Sequence, residues 1–268
     1  MSHTRIEKQK QGRQHDYVNV NVLRQPEYGL IQYQIPQSAT AHGCYHRNDN
    51  GPEQIELAQT IARPPREGKF LYDEGSQQIE VLDPGQMGLA LDLAAAREAI
   101  LAAAFTADHV VTLPVHQAAP LVTAEDLRAM LPLDPIATGE IRFAGSTPER
   151  AQNIRVASER FHGVTVPAGA EFSFLHYLGP VNASVGYAES WVIFGDQTVL
   201  GAGGGVCQVS TTAFRAAFWG GYPITARSEH AYRVDWYEPP LGLDAAVFVP
   251  TTDMRFRNDD AWPILIMT

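Results

Sequence analysis

Gly201–Gly221 reads GAGGGVCQVSTTAFRAAFWGG. A glycine-rich loop meets a cysteine, and an Ala-rich run with no Gly or Pro follows from Cys207 to Trp219. That pattern predicts a helix, which Gly220 and Gly221 stop. Val209, Ala213, Ala216 and Gly220 share one face, and Phe214 and Phe218 lie on another, so the helix is apolar almost all round and expected to be buried. Cys207 falls at its N-terminus, where free N–H groups and the helix dipole favour a thiolate. The loop is not a dinucleotide-binding turn: starting from Gly201, the third glycine of G-x-G-x-x-G is replaced by Val206. Nor is it a phosphate-binding P-loop, because Val206 and Cys207 stand where Lys and Ser/Thr are needed. The alternative to a reactive Cys207 is a small core residue beside glycines that let a helix end approach a sheet.

A nucleophilic cysteine needs a base, and the base needs an orienting group. Downstream, His230 opens the alternating run HAYRVDWY and Asp244 opens DAAVFV, both expected as strands. Cys207, His230 and Asp244 are therefore the candidate catalytic set. Gln208, the N–H groups of Gly204 and Gly205, and Ser210 are the candidate oxyanion or substrate-binding groups. Asp235 and Asp253 rival Asp244, although strand alternation turns Asp235 away from His230. Each residue also has an ordinary reading: His230 as a hydrogen-bonded strand-end histidine, Asp244 as a turn residue after Gly242, Arg227 and Glu229 as solvated charges. The order of cysteine at a helix start, then histidine, then aspartate resembles that of papain-like and transglutaminase-like thiol enzymes.

Upstream, the polar start MSHTRIEKQKQGRQHD is followed by YVNVNVL and LIQYQI, which alternate as a hairpin does. His42, Cys44 and His46 have the spacing of a metal-binding strand edge, but Gly43 and the polar flanks favour a loop, and no fourth ligand is evident. No metal or other cofactor is expected. EQIELAQTIA has helical spacing and ends at Pro64-Pro65. GKFLYDE and QQIEVLD form two short strands, Asp92 caps a helix with Leu93, Ala96, Ile100 and Ala104 inward, HVVTLPVHQ is a strand, and Thr123 opens a short helix. The turn-rich stretch 134–147 reads as a domain boundary. Beyond it Ser146 and Glu149 have capping-box spacing, Ile154, Ala157 and Phe161 make an inner stripe, and Gly163 ends the helix. VTV and EFSF, then SWVIF and TVL, read as hairpins. The fold class expected is α+β. A polar segment and hairpin (1–51) precede a small α+β domain (52–137) and a helix-on-antiparallel-sheet domain (138–268) expected to fold alone.

With 45% hydrophobic residues, the 268-residue chain affords an ordinary core. Its formal net charge of −10 argues against nucleic acid or an anionic membrane as partner. No apolar run approaches the ~18 residues of a membrane span. No signal peptide opens the chain, a pattern that a processed N-terminus shares. Cys44 and Cys207 are too few for a disulfide framework. The sequence leaves the oligomeric state open.

GGGVCQVSTTAFRAAFWGGYPI, with RAQNIRVASERFHGVTVPAGAEFSF and LGPVNASVGY before it and DMRFRND and PILI after it, resembles the VanW-like family over residues 141–268. That family is named after an accessory protein of vancomycin-resistance clusters. REGKFLYDE, IEVLDPGQMGLALD and VVTLPVHQAAPLVTAEDL, within residues 52–135, are similar to the peptidoglycan-binding-like domain that commonly precedes it. The resemblance implies an extracytoplasmic protein of the bacterial cell envelope whose partner is peptidoglycan or its stem peptides. The family pattern carries Cys207-Gln208 and a following histidine, here His230. A catalytic role for them, in acyl transfer or amide hydrolysis, is an inference from the residues. Its rivals are a non-catalytic peptide-binding module and an accessory partner of a wall enzyme.

Overall fold

The computed structural model describes residues 22–24, 31–34, 52–106, 110–194 and 197–268. The stretch holding His42, Cys44 and His46, weighed as a metal-binding edge and read as a loop, lies outside the described residues. The strands are β1 (Val22–Arg24), β2 (Ile31–Gln34), β3 (Lys69–Asp73), β4 (Gln78–Asp83), β5 (Gly88–Leu91), β6 (Val110–Leu113), β7 (Val115–Ala118), β8 (Val164–Val166), β9 (Glu171–Ser173), β10 (Glu189–Phe194), β11 (Gln197–Ala202), β12 (Ile224–Ala226), β13 (Arg255–Arg257) and β14 (Ile264–Ile266). The helices are α1 (Pro52–Ile61), α2 (Leu93–Ala103), α3 (Ala124–Ala129), α4 (Pro148–Phe161), α5 (Phe174–Leu178) and α6 (Val206–Trp219). All strand pairings among the described residues are antiparallel. Helices and antiparallel sheets together make the expected mixed α+β class.

Several boundaries follow local chemistry. Asp92 accepts a hydrogen bond from Ala95 N at the start of α2, and Thr123 and Asp126 make a reciprocal capping box on α3. The cap of α4 is Thr147 rather than Ser146, with Pro148 in the first turn. Ser146 instead accepts from the Arg150 guanidinium at 2.6 Å.

The expected division at 137/138 does not follow the sheets. Residues 66–86 join residues 119–268 in one compact unit, and residues 87–118 belong to the other. In the first unit, β1, β2 and β6 form one sheet and β5 pairs with β7. Leu57 and Ile61 of α1 share its core with Ala96 and Ile100 of α2 and with Val111 and Leu113. In the second unit, the order β14–β8–β3–β4 puts the β3–β4 hairpin beside strands from the end of the chain. Phe70, Ile79, Val122 and Leu127 are buried together, with Leu265 packed on them. The stretch 134–147, expected as a linker, is tied down instead: Ile141 O and Arg142 O accept from Gln208 Nε2 on α6.

The strands VTV and EFSF, expected as one hairpin, go to different sheets, since β9 closes the order β12–β13–β9. The largest core lies between α4, α6 and these sheets. Ile154, Ala157 and Phe161 of α4 are buried as expected, with Phe172, Phe174, Val209, Phe214 and Phe256. Phe161 stacks on Phe174 with centroids 4.3 Å apart, and Phe172 on Phe256 at 4.8 Å.

The runs around His230 and Asp244, expected as strands, form none. Asp235–Tyr237 is a single 3₁₀ turn, and Ala246 and Phe248 make only isolated bridges, to Ser228 and Thr252. Tyr237 O, Leu243 O, Ala245 O and Val247 O are hydrogen-bonded by side chains of α6, and Gly242 O and Asp244 O by Arg227.

Gly163 tests how closely β3 approaches the end of α4. Its φ is +78°, and an added Cβ falls 2.6 Å from Phe70 O. Gly163→Ala is expected to destabilise the second unit by at least about 1–3 kcal/mol, from the left-handed backbone alone. A fragment 138–268 lacks β3, β4 and α3 and is expected to lose cooperative unfolding in denaturant. A fragment unfolding as sharply as the full chain would contradict this assignment.

Candidate functional site

Two devices shape the loop before α6. Gly205, its N-cap, has φ of +112°, a region that residues with a Cβ rarely adopt. Any Cβ on Gly204 meets Trp191 O and Ser190. The loop is fixed from α4 by Asn153, which is fully buried. Asn153 Nδ2 donates to Ala188 O and Gly204 O, and its Oδ1 accepts from Ala188 N. One amide thus ties both ends of the β10–β11 hairpin to α4 and satisfies its own buried groups.

The helix is less uniformly apolar than its sequence suggests. Gln208, Ser210, Thr211 and Arg215 are buried. Ser210 Oγ donates to Ala245 O at 2.5 Å, and Ala245 N donates back to Thr211 Oγ1 at 3.0 Å. Arg215 donates to Leu243 O at 2.7 Å and also to Tyr237 O. Cys207 Sγ donates to Val247 O at 3.5 Å. Cys207, Thr211 and Arg215 recur every four residues, so one helical face grips the backbone from Tyr237 to Val247.

That grip places Asp244 against His230. Asp244 Oδ2 lies 2.6 Å from His230 Nδ1 and accepts from His230 N at 3.0 Å. Arg227 completes the set: it donates to Asp244 Oδ1 at 3.1 Å, Asp244 O at 2.7 Å and Gly242 O at 2.9 Å. Burial works to raise the Asp244 pKa, but the His230 bonds and Arg227 outweigh it and hold the carboxyl below its ordinary value. The His230 side chain is 3% exposed, and its Nε2 is buried without a hydrogen-bond partner. With Nδ1–H donated to Asp244, Nε2 is the acceptor in the neutral ring. The ring faces Tyr237 at 5.3 Å. Residues 230–234, 237, 238 and 240–244 wall a cavity of about 260 Å³ beside the pair.

The other acids are committed elsewhere. Asp253 accepts from Ser173 Oγ, Leu175 N and Arg255 Nε. The Asp235 side chain is 96% exposed, near Arg233. Among the oxyanion candidates, Gln208 accepts from Arg150 at 2.6 Å through Oε1 and donates to the 141–142 backbone. Ser210 is spent on Ala245 O. These two side chains hold the scaffold and are not free donors. Arg227, read from sequence as solvated, orients Asp244.

The expectation of a thiolate at the helix start is corrected. Cys207 remains partly exposed, yet burial pushes its thiol pKa up, Asp244 adds to the rise, and the bond to Val247 O offsets only part of it. Desolvation in these dense surroundings exceeds the helix-terminal field, so the resting thiol is neutral. No other free cysteine, no cluster of potential metal ligands and no helix long and apolar enough to cross a membrane occurs among the described residues.

Two outcomes follow. The Cys44→Ala protein is expected to react with iodoacetamide at pH 7 roughly tenfold or more slowly than a free thiol of pKa about 8.5, and to react fully once denatured. Labelling as fast in the native protein as in denaturant would overturn the neutral-thiol assignment. The folded-state pKa of Asp244 lies below its unfolded value of about 3.9. Its stabilisation is therefore complete above that pH and is lost as pH falls through the lower, folded pKa. Asp244→Asn is expected to lower unfolding free energy at pH 7 by about 1.5–3 kcal/mol and to flatten the acid limb of stability against pH.

Residues 149–268 match the family model described as VanW like protein. A stretch of 124 residues is 36% identical to the uncharacterized protein YoaR of Bacillus subtilis, covering 46% of this chain and 40% of that protein. Another, of 111 residues, is 25% identical to the vancomycin B-type resistance protein VanW of Enterococcus faecalis, covering 40% of each. The matches thus span well under two thirds of either relative. No solved structure shows a significant match. Geometry and comparison meet in the same residues, for the segment similar to VanW-like proteins contains α4, the glycine loop, α6 and the His230–Asp244 pair.

Proposed function

We propose that the VanW-like segment is a thiol-dependent acyl-transfer or amide-hydrolysis domain of the cell envelope, acting on peptide stems of peptidoglycan. The observation that carries this reading is the His230 ring, held at Nδ1 by Asp244 with Nε2 buried and unpartnered. An unsatisfied buried acceptor costs about 1–3 kcal/mol, and a base awaiting a proton gives that cost a use. The order Cys207, His230, Asp244 is that of papain-like and transglutaminase-like enzymes, although here His230 and Asp244 stand on loop segments. The envelope setting and the wall substrate draw on the name of the Enterococcus relative. Contact with peptidoglycan through the preceding residues 52–137 belongs to the same proposal.

Because the resting thiol is neutral, the chemistry proceeds by general-base activation. Cys207 leaves Val247 O, Sγ attacks the substrate carbonyl, and its proton passes to His230 Nε2. Collapse of the tetrahedral adduct breaks the C–N bond and returns that proton to the departing amine. An acceptor amine or water then cleaves the thioester, losing a proton to His230, and restores the thiol. Asp244 steadies the imidazolium formed in each half-reaction.

A second reading is favoured by the thiol's bond to Val247 O and its raised pKa: the segment binds peptide stems without chemistry, and Cys207 is structural. Incubation of the Cys44→Ala protein with muropeptides, followed by mass spectrometry, decides between them. The catalytic reading expects cleaved or transferred peptides, and a loss on the order of 10²–10⁴-fold in His230→Ala, with none formed by Cys207→Ala. Binding without turnover, unchanged in Cys207→Ala, would leave the recognition module.

A further inference from the structure

Arg150 is a partly buried cation of the second unit beside the start of α6. Arg66 pairs with Asp83, Arg227 with Asp244, Arg233 with Glu238, and Arg255 with Glu171 and Asp253. The buried Arg215 is surrounded by backbone carbonyls. Arg150 is partly buried, and no carboxylate lies within ion-pair distance of it among the described residues. Its partners are Ser146 Oγ and Gln208 Oε1, both at 2.6 Å, and its guanidinium lies 4.5 Å from the ring centroid of Trp236. Those two bonds, with a third to the Tyr237 hydroxyl, leave two of its five N–H donors. Burial lowers its pKa, offset only in part by the nearby Tyr237 hydroxyl. A cation withdrawn from water without a counter-charge is costly and is normally kept for an anion that completes it.

Its position ties it to the site. Gln208, which it holds, follows Cys207 in the chain. Tyr237 lies against the His230 ring, and its hydroxyl is close enough to Cys207, Arg150 and Asp244 to feel all three. The planar fork of a guanidinium stacked on an indole suits a carboxylate, which it binds through two parallel N–H···O bonds.

We propose that Arg150, backed by Trp236, is a carboxylate subsite that selects peptides with a free C-terminal carboxylate close to the residue acted upon. This rests on the reading of the segment as a peptide-binding site, but not on catalysis. Such a clamp fixes substrate register without touching the reacting carbonyl, and it distinguishes chain ends from internal peptide bonds.

The test uses the Cys207→Ala protein, so turnover plays no part. N-acetyl-alanyl-alanine and its C-terminal amide, each in L and D forms, are titrated by calorimetry. The acid of at least one form is expected to bind tenfold or more tightly than its amide, and Arg150→Met is expected to reduce that preference to about twofold or less. Near-UV circular dichroism checks that the variant is folded. If it is not, Trp236→Leu replaces it and is expected to reduce the same preference. Equal affinity for acid and amide, or no binding of either by the folded protein, would overturn the subsite. An acid preference that survives Arg150→Met would place the carboxylate elsewhere. A clear acid preference in a protein without turnover would leave the subsite standing and remove only the chemistry.

Discussion

Side chains of α6 hydrogen-bond the backbone of a segment that has no sheet of its own, and the candidate site depends on that arrangement. From Tyr237 to Val247 the chain would bury backbone carbonyls without strand partners, at a cost of about 1–3 kcal/mol for each left unsatisfied. Ser210, Thr211 and Arg215 meet that need from one helical face. The same bonds fix where Asp244 falls, and Asp244 fixes the His230 ring. Small hydroxyls suit this task because a larger side chain would hold the segment off the helix. The long reach of Arg215 spans the carbonyls that hydroxyls cannot.

The helix is held in place from its other side by α4. Asn153 binds the loop that leads into α6, and Arg150, three residues before it, binds Gln208. Gln208 in turn straps residues 141–142 along the helix. Scaffold and candidate site thus share one polar network, running from Ser146 through Arg150 and Gln208 to the start of α6. Within it the side chains of Gln208 and Ser210 are saturated, whereas His230 Nε2 and the remaining donors of Arg150 are not. That contrast distinguishes saturated groups of the scaffold from groups with hydrogen-bonding capacity left over.

Electrostatics in this site are decided by burial more than by the helix terminus. The field at a helix start favours a thiolate by about 0.3–1 kcal/mol near a surface, and removing a thiolate from water costs more than that. Cys207 therefore rests as a thiol, and its activation in the proposed chemistry falls to His230. Asp244 shows the opposite balance, because two hydrogen bonds from His230 and the Arg227 guanidinium outweigh its burial.

The sequence by itself determined the local elements. Caps at Asp92 and Thr123, the glycine stops of α4 and α6, the inner stripe of Ile154, Ala157 and Phe161, and the β3–β4 and β10–β11 hairpins all depend on neighbours in the chain. Residue order also nominated Cys207, His230 and Asp244, of which the structure brings His230 and Asp244 into contact. Tertiary structure alone decided which sheet each short strand joined, because three-residue strands such as β8 and β9 carry too little pattern to choose a partner. It placed the β3–β4 hairpin with the end of the chain, and it turned two alternating runs into loops by giving their carbonyls to α6. It also set the charge of Cys207 and left Arg150 without an acid, since both follow from what surrounds a side chain in space and not from what flanks it in sequence.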